Sequence, residues 1–379
     1  MVRILMANLP YAGHVTPTLG LIDEFIKRGH EVGYVLSGEW REEIEKRGAK
    51  FIEYQGYKGN PMVLNNCYYA LYNTIKSVAD EYDCIIYEMF FILGKRLADK
   101  LNKPSIRVFS TFALNKTVIN ELISKKGSML TIFKNKLIRK FETKYQVRKL
   151  DLEVKDFFEE ISNTKQDVNI VYTSKAFQVH NEDFSNKNFF FVGSPTKYIC
   201  EEKIVSQHPI IYISLGTIFN NNLKFYKKCI NAFRNENVTI YMSIGKSIDK
   251  KVFKNVSENI HIFNYAPQVE ILNNASLFLT HGGMNSVNEA IKFGVPMVVF
   301  PMAADQPYVG ARVQELEIGK CCSLKSLTVD KIREVSYEVM SDQTINENIK
   351  FLKKDMLEYD GNEKAVEIIL EYLELESKF

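Results

Sequence analysis

Short apolar runs alternate with amphipathic stretches along the first half of the chain and predict alternating strands and helices. The first apolar run covers residues 2–7. A stretch with helical spacing then extends to Arg28, with Thr16 suited to cap a helix and Pro17 to its first turn. Further strands are predicted at 31–36, 51–54, 83–87, 104–108, 167–172 and 188–192. This succession is typical of a parallel sheet in an α/β domain.

The alternation restarts after Gly193-Ser194-Pro195 and predicts a second α/β domain. Its predicted strands are 209–214, 238–243, 260–263 and 277–279, with a helix at 223–233 and a last helix at 363–377. Residues 196–208 are polar and lack periodicity, which is typical of a linker. We therefore expect an N-terminal domain over 1–195, the linker, a C-terminal domain over 209–360, and a final segment, 361–379, that packs back on the N-terminal domain.

Residues 115–160 have longer helical patterns than the rest of the first half. Apolar residues recur there at helical spacing, and basic residues share the opposite face. The apolar stripe is Phe133, Leu137, Phe141 and Tyr145, and the basic face is Lys134, Lys136, Arg139, Lys140, Lys144, Arg148 and Lys149. The pattern is typical of a solvated face over a packed stripe, and it also fits a basic surface near a lipid or an acidic partner.

Composition narrows the class of protein. The 379 residues are 46% apolar and 25% charged, enough for two globular cores, and the net charge of +3 gives no case for nucleic-acid binding. The six cysteines (67, 84, 200, 229, 321, 322) lack metal-ligand spacing, so we expect free thiols in a reducing cytoplasm. No run is long enough to span a membrane, and the first residues lack the pattern of a signal peptide. We expect a monomer or a homodimer.

One turn in the second half has the features of an anion site. The strand at 277–279 leads into Thr280-His281-Gly282-Gly283, after which a helical pattern begins. A glycine turn at a helix N-terminus presents backbone N–H groups, and the helix dipole adds roughly +0.5 charge there. The pattern predicts a diphosphate site with His281 beside it. The alternative is a helix capped by Asn285 or Ser286 next to a buried structural histidine.

Several motifs of other nucleotide- and metal-dependent enzymes do not occur in the sequence. These are GxxxxGK[ST], GxGxxG after the first strand, DxD, HExxH and GxSxG. What remains is a histidine, His14, after the first strand, an acid, Glu88, after the fourth, and Gly-containing turns at 216 and 282–283. His14 and Glu88 both follow predicted strands of a parallel sheet, so we expect them to face one cleft. We expect no metal site.

Three segments, in this order and at these separations, resemble the GT-B glycosyltransferases. They are Gly13–Pro17 (GHVTP) with the following RGHEV, Ser214–Thr217, and Tyr265–Gln306. The resemblance is to the UDP-glycosyltransferase superfamily, in its bacterial macrolide-glycosyltransferase branch, and it spans nearly the whole chain. It implies two Rossmann-like, doubly wound parallel-sheet domains that face a central cleft. It also implies a UDP-sugar, with glucose expected, as co-substrate and no resident cofactor.

Carried over position by position, the resemblance implies the donor site. Tyr265 and Gln268 would contact the uracil, and Glu289 would accept the ribose hydroxyls. Asp305 and Gln306 would hold the sugar. The full implied donor-binding set is Gly13, Gly216, Thr217, Tyr265, Ala266, Gln268, His281, Gly282, Gly283, Asn285, Ser286, Glu289, Asp305 and Gln306.

The resemblance also implies the chemistry. His14 matches the general base, and Glu88 stands where most relatives have an aspartate that orients the base. The other reading of Glu88 is a loop acid paired with Lys95 or Arg96. The implied reaction is a single inverting displacement that needs no metal and turns an α-linked UDP-sugar into a β-glycoside.

The acceptor is expected near His14, Phe90 and Phe91, as a small apolar molecule with a hydroxyl, such as a macrolide, a polyketide or a phenolic compound. One alternative is a glycolipid-forming transferase with weak association at a membrane surface. Others are an inactive UDP-sugar-binding protein and a different GT-B enzyme such as a sugar-nucleotide epimerase.

Overall fold

The computed structural model describes residues 1–57, 64–124, 140, 143–145, 147–148, 150–154, 156–163, 168–185, 188–196, 204, 206–217, 220–359 and 361–376. The chain divides into an N-terminal unit, Met1–Thr196 with Tyr359–Phe379, and a C-terminal unit, Lys197–Glu358. Most of the predicted linker, 197–203 and 205, lies outside the described residues, as do Phe133, Leu137 and Phe141 of the predicted basic helix.

The N-terminal unit is built on a seven-stranded parallel sheet. Its strands are β1 Arg3–Ala7, β2 Glu31–Leu36, β3 Lys50–Glu53, β4 Cys84–Glu88, β5 Ser105–Phe109, β6 Val168–Val171 and β7 Phe189–Phe191. The helices between them are α1 Ala12–Lys27, α2 Arg41–Lys46, α3 Leu64–Val78, α4 Gly94–Lys100, α5 Lys116–Ser124 and α6 Phe157–Ile161. Strands β4, β5 and β6 are buried throughout, which explains why they are mostly apolar although Arg107 and Asn169 lie within them.

The strand order of this sheet is β3-β2-β1-β4-β5-β6-β7. The chain proceeds outward from β1 to β3 on one side and then returns to β4 on the other side of β1. The order therefore reverses between β1 and β4. In parallel α/β sheets, such a reversal opens a crevice at the carboxyl ends of the two strands, where ligands bind.

The C-terminal unit repeats this design with a six-stranded parallel sheet. Its strands are β8 Ile210–Ser214, β9 Thr239–Ser243, β10 Ile260–Phe263, β11 Ala275–Thr280, β12 Met297–Val299 and β13 Gly319–Cys321. Its helices are α7 Leu223–Phe233, α8 Gln268–Leu272, α9 Met284–Phe293, α10 Gln306–Glu315, α11 Val329–Ser341 and α12 Gln343–Leu357. The order β10-β9-β8-β11-β12-β13 reverses between β8 and β11.

A last helix, α13 Gly361–Glu376, belongs to the N-terminal unit and packs on α1. Asn362 anchors its first turn. The Tyr172 hydroxyl donates to Asn362 Oδ1 at 2.7 Å, and Asn362 Nδ2 donates to the Pro195 carbonyl at 2.9 Å. Gly20 of α1 lies so close to Asn362 that a Cβ there would meet Nδ2 at 2.0 Å. A larger residue at position 20 would therefore displace this anchor.

The prediction of a helix capped by Thr16 is wrong. Helix α1 begins at Ala12, after Tyr11 in extended conformation, and Pro17 lies inside it. The Tyr11 carbonyl accepts from the amides of His14 and Val15, and the Asn8 side chain donates to the His14 carbonyl at 2.9 Å. These bonds extend the helix toward β1. His14 therefore lies in the first turn of a helix and not in the loop before it.

Candidate active site

His14 and Glu88 meet at the crevice of the N-terminal unit. His14 lies in the first turn of α1, which follows β1, and Glu88 is the last residue of β4. The His14 Nδ1 atom is 2.8 Å from Glu88 Oε1. The side chain of His14 is 22% exposed and that of Glu88 is fully buried. The imidazole thus rests on a buried carboxylate while part of the ring reaches the surface.

The alternative reading of Glu88, as a partner of Lys95 or Arg96, is wrong. Lys95 pairs with Asp99 at 2.9 Å, and Arg96 pairs with Glu160. Glu88 is instead held by a backbone amide just past the end of β4. Its Oε2 accepts from the Phe90 amide at 2.8 Å, while its Oε1 contacts the histidine. One oxygen is therefore fixed by the backbone and the other is directed at the ring.

A third polar residue, Ser110, completes this group, and no sequence motif points to it. It is the first residue after β5, the next strand along the sheet from β4, and is 4% exposed. Its Oγ is 2.9 Å from His14 Nδ1 and donates to Glu88 Oε1 at 2.8 Å. The one sequence signal that could have found it is a serine directly after a buried strand next to the strand that carries Glu88.

Aromatic side chains surround the imidazole. The Phe90 ring stands edge-on to His14 with centroids 4.9 Å apart, and the Tyr11 ring is 5.8 Å away. Phe90 is half-buried, and the Tyr68 hydroxyl donates to its carbonyl at 2.7 Å. Phe91, expected to contact the acceptor, is fully buried instead and packs on Tyr68. Of these two phenylalanines, Phe90 is therefore the one with exposed surface that an acceptor could contact.

In the C-terminal unit, the two glycine turns converge on His281. The turn at Gly216 follows β8, and the turn at Gly282-Gly283 follows β11, the strand beside it. A Cβ on Gly216 would meet His281 Cε1 at 2.6 Å, and one on Gly283 would meet Nε2 at 2.5 Å. The imidazole packs against both turns, and only residues without a side chain fit there. The strand reversal between β8 and β11 places this group at the ligand-binding edge of its sheet.

Burial lowers the pKa of His281 to about 4, although its hydrogen bond with the backbone of Ser214 acts in the opposite direction. The ring is therefore neutral at physiological pH and carries a single N–H. The His281 that the sequence placed beside an anion is consequently a hydrogen-bond donor and not a cation.

Helix α9 starts directly after these glycines. Its N-cap is Gly283, whose backbone is extended, and no side chain caps it. The alternative in which Asn285 or Ser286 caps the helix is therefore wrong, since both lie in its first turn and are half-buried. A helix N-terminus that no side chain caps is a position where backbone N–H groups can bind an anion. Thr217, on the other turn, is exposed.

Two of the predicted nucleoside residues, Gln268 and Glu289, are hydrogen-bonded to each other. Gln268 begins α8, and its Nε2 donates to Glu289 Oε2 and, at 3.4 Å, to Ser286 Oγ. Its Oε1 accepts from the hydroxyl of the buried Tyr212 at 3.2 Å. Tyr265 is 56% exposed, and Lys246 Nζ lies 5.5 Å from its ring centre. Ala266, next to it, is half-buried.

The two predicted sugar-binding residues lie at the start of α10. Asp305 is its N-cap and is half-buried. Gln306 is 5% exposed, and its Oε1 accepts from the amides of Met302 and Ala303 at 2.9 and 3.1 Å. That leaves the Gln306 amide nitrogen as the group able to donate to a ligand. Gly13, in the first turn of α1, is the one member of the predicted donor set that lies in the N-terminal unit.

Comparisons with known proteins agree with this geometry. A family model described as UDP-glucoronosyl and UDP-glucosyl transferase matches residues 193–356. NDP-glycosyltransferase YjiC of Bacillus subtilis strain 168 is 33% identical over 389 aligned residues, which cover 96% of this chain and 95% of that protein. Oleandomycin glycosyltransferase of Streptomyces antibioticus is 22% identical over 97% of this chain and 90% of its own length.

Among solved structures, the calicheamicin glycosyltransferase CalG4 is similar over 98% of both chains, with a TM-score of 0.85 and 27% identity. The two reversed parallel sheets are thus the two domains of the GT-B fold. No helix in the described part of the chain is long and apolar enough to cross a membrane. With full-length identity above 30% to a glycosyltransferase, this chain belongs to the UDP-glycosyltransferase family and is a glycosyltransferase of its macrolide-type GT-B branch.

Proposed function

We propose that this glycosyltransferase transfers glucose from UDP-glucose to a hydroxyl of a small apolar acceptor, in one displacement that inverts the anomeric centre. The observation that carries the proposal is the partly exposed His14 imidazole, held at 2.8 Å by the fully buried carboxylate of Glu88. A hydroxyl is a weak nucleophile until a base accepts its proton, and an oriented histidine is the side chain best matched to that task near neutral pH.

The contact with Glu88 defines which ring nitrogen acts. A carboxylate oxygen at Nδ1 favours the tautomer with its proton there, which leaves the lone pair on Nε2. In the proposed step, the acceptor O–H bond breaks as Nε2 takes the proton. The acceptor oxygen bonds to the anomeric carbon, and the bond from that carbon to the UDP oxygen breaks. The UDP oxygen keeps the electron pair, and Glu88 stabilises the imidazolium, as the acid does in Ser-His-Asp triads.

The C-terminal unit supports UDP as the leaving group. The N-terminus of α9, which no side chain caps, presents backbone N–H groups, whereas the amides of Gly216 and Gly282 donate within their own turns to the hydroxyls of Ser214 and Thr280. The neutral His281 adds one N–H of its own. Together they would stabilise the charge that develops on the diphosphate, so the proposal includes no metal ion.

Other residues of the C-terminal unit would bind the uridine and the glucose. Glu289 would accept the two ribose hydroxyls, which suit a carboxylate. The exposed ring of Tyr265 offers a stacking surface for uracil. Gln306, with its Oε1 already bonded to the backbone, would donate its amide N–H groups to hydroxyls of the sugar, alongside Asp305.

The surroundings of His14 support an apolar acceptor. The rings of Phe90 and Tyr11 flank the imidazole, and the neighbouring Tyr68 directs its hydroxyl to the backbone. Such walls favour a flat or apolar molecule held next to the base by van der Waals contact. A phenolic compound, a polyketide or a macrolide has this character.

A direct assay tests the proposal. The purified protein is incubated with UDP-glucose and a panel of phenols, polyketides and macrolides, and UDP release and product are followed together. We expect UDP release with at least one acceptor and a β-glucoside by the NMR coupling of the anomeric proton. An α-glucoside would refute the inverting displacement. Tight UDP-glucose binding without turnover on any acceptor would instead favour a binding protein.

A further inference from the structure

Three polar atoms at the base form a closed triangle. His14 Nδ1, Glu88 Oε1 and Ser110 Oγ are separated by 2.8, 2.8 and 2.9 Å. Glu88 and Ser110 are nearly inaccessible to solvent, at 1% and 4% exposure. The three residues come from α1, β4 and the end of β5, so the triangle ties three neighbouring elements together at the strand reversal.

Counting protons assigns the roles within the triangle. An ionised Glu88 has none to give, Ser110 has one, and a neutral His14 whose lone pair is on Nε2 has one on Nδ1. The serine proton is directed at Glu88 Oε1, since a carboxylate is the stronger acceptor. The Nδ1 proton then faces both Oε1 and the lone pairs of Ser110 Oγ. No edge of the triangle sets two protons or two lone pairs directly against each other.

The carboxylate of Glu88 needs this support because its side chain is long. A glutamate has one more rotatable bond than an aspartate, so more of its conformers must be excluded before it can hold the ring. The Phe90 amide fixes Oε2 at 2.8 Å, and Ser110 fixes Oε1 at 2.8 Å. With only the first contact, the carboxyl group could still pivot about Oε2 and carry Oε1 away from the imidazole.

We propose that Ser110 is a positioning residue for the base: it holds Glu88 Oε1 against His14 Nδ1 and thereby keeps the proton on Nδ1 and the lone pair on Nε2. The proposal deepens the proposed function and rests on it for the effect on rate. The arrangement in the unliganded protein does not depend on the identity of donor or acceptor, so it can be measured without them.

Three polar side chains near Glu88 in the described part of the chain have hydrogen-bond partners of their own. The Tyr68 hydroxyl donates to the Phe90 carbonyl, and the Tyr34 hydroxyl contacts Thr18 at 2.7 Å and Asn8 at 3.1 Å. The guanidinium of Arg107, on β5, donates to Asn169 and to two backbone carbonyls. The Tyr11 ring centre lies 5.8 Å from that of His14. Glu88 and Ser110 therefore both act on the proton of His14 Nδ1.

The first experiment uses the protein without substrate. Histidine is labelled with ¹⁵N, and long-range ¹H–¹⁵N spectra assign the His14 tautomer at neutral pH. We expect the Nδ1–H form to dominate in the wild type and in Ser110→Thr, which keeps the hydroxyl. In Ser110→Ala we expect the Nε2–H form to gain population, because Glu88 is held less firmly. An unchanged tautomer ratio in Ser110→Ala would overturn the proposal, even if the protein transferred no glucose.

The second experiment is a double-mutant cycle on the transfer rate. We expect Ser110→Ala to lower kcat about tenfold, the effect of one hydrogen bond to a charged group, with the KM for UDP-glucose unchanged. In a Glu88→Gln background, the same change should cost less than about twofold, because Ser110 acts through Glu88. A full tenfold loss in that background would show an independent role and overturn the proposal. Absence of glucose transfer by the wild type would count against the proposed function alone.

A matched control separates positioning from folding. Ser105, at the other end of β5, is fully buried, and its Oγ has no hydrogen-bond partner within the described residues. Ser105→Ala removes a buried hydroxyl from the same strand and should leave both the tautomer and kcat unchanged. If Ser105→Ala matched Ser110→Ala in both readouts, the effect would belong to the strand, and the positioning role of Ser110 would be refuted.

Discussion

Replacing Glu88 by Gln or by Asp separates the charge of this side chain from its length. Glu88 is fully buried, with Oε1 2.8 Å from His14 Nδ1 and Oε2 2.8 Å from the Phe90 amide. Glutamine keeps the length but loses the charge that stabilises the imidazolium. If its amide nitrogen turns to the ring, the proton moves to Nε2 and the base is lost. Aspartate keeps the charge but withdraws it by one C–C bond, about 1.5 Å.

The two losses differ in size. The contribution of a general base is typically about 10²–10⁴-fold, so Glu88→Gln should lower kcat by about this factor. For Glu88→Asp, the separation grows from 2.8 Å to about 4.3 Å, beyond hydrogen-bond reach. At an effective dielectric constant of about 20, the attraction for the imidazolium falls from about 6 to about 4 kcal/mol. The difference of about 2 kcal/mol corresponds to a loss of about thirtyfold.

The assay is the initial rate of UDP release at saturating UDP-glucose, with the best acceptor from the panel. Calorimetric UDP binding and thermal unfolding of each variant show whether the donor site and the fold are retained. The expected order of kcat is Glu above Asp above Gln. Glutamine turnover equal to or above that of aspartate would refute the electrostatic reasoning, because length alone would then account for the role of Glu88.

Three further predictions concern the C-terminal unit. Gly283→Ala places a Cβ 2.5 Å from His281 Nε2, so the ring must move, and the Kd for UDP measured by calorimetry should rise about tenfold; an unchanged Kd would contradict the packing. Burial lowers the pKa of His281 to about 4, below its usual 6.5, so below pH 6.5 only the unfolded chain gains a proton. Between pH 7 and pH 4, the free energy of unfolding measured in urea should therefore fall by about 3 kcal/mol more in the wild type than in His281→Asn. Equal falls in the two proteins would contradict this. Activity should survive EDTA, whereas strong metal dependence would contradict the account of diphosphate binding.

Much of the fold could be predicted from the sequence because several of its central strands are largely buried on both faces. Such strands appear as short apolar runs, and β8 and β11 lie where these runs predict them. The order of the strands within the sheet cannot be predicted in this way. Nothing in the apolar pattern says that β4 returns to the far side of β1, yet this reversal brings Glu88 to His14.

The start of α1 shows where local signals mislead. Thr16 and Pro17 are a good cap and first residue by propensity, but the helix begins at Ala12. The carbonyl of Tyr11 and the side chain of Asn8 bond to the residues around His14 and add a turn at the front. Asn8 comes from the end of β1, so tertiary position overrides the local preference.

Ser110 and His281 show what contacts add to a motif. A lone serine after a strand carries no signature, and its role emerges only when β5 places it beside β4. The glycines next to His281 predict its role, but Gly216, which also packs on the ring, lies 65 positions earlier (281 − 216). The neutral state of His281 follows from that packing and not from the motif.

The most direct test of the account is His14→Ala, assayed for UDP binding and for glucosyl transfer in the same preparation. The variant removes the base from the N-terminal unit and leaves unaltered the residues of the C-terminal unit that converge on His281. We expect the Kd for UDP to stay within about twofold of the wild-type value while kcat falls by at least about 10²-fold. Turnover close to that of the wild type, with UDP binding intact, would contradict His14 as the base.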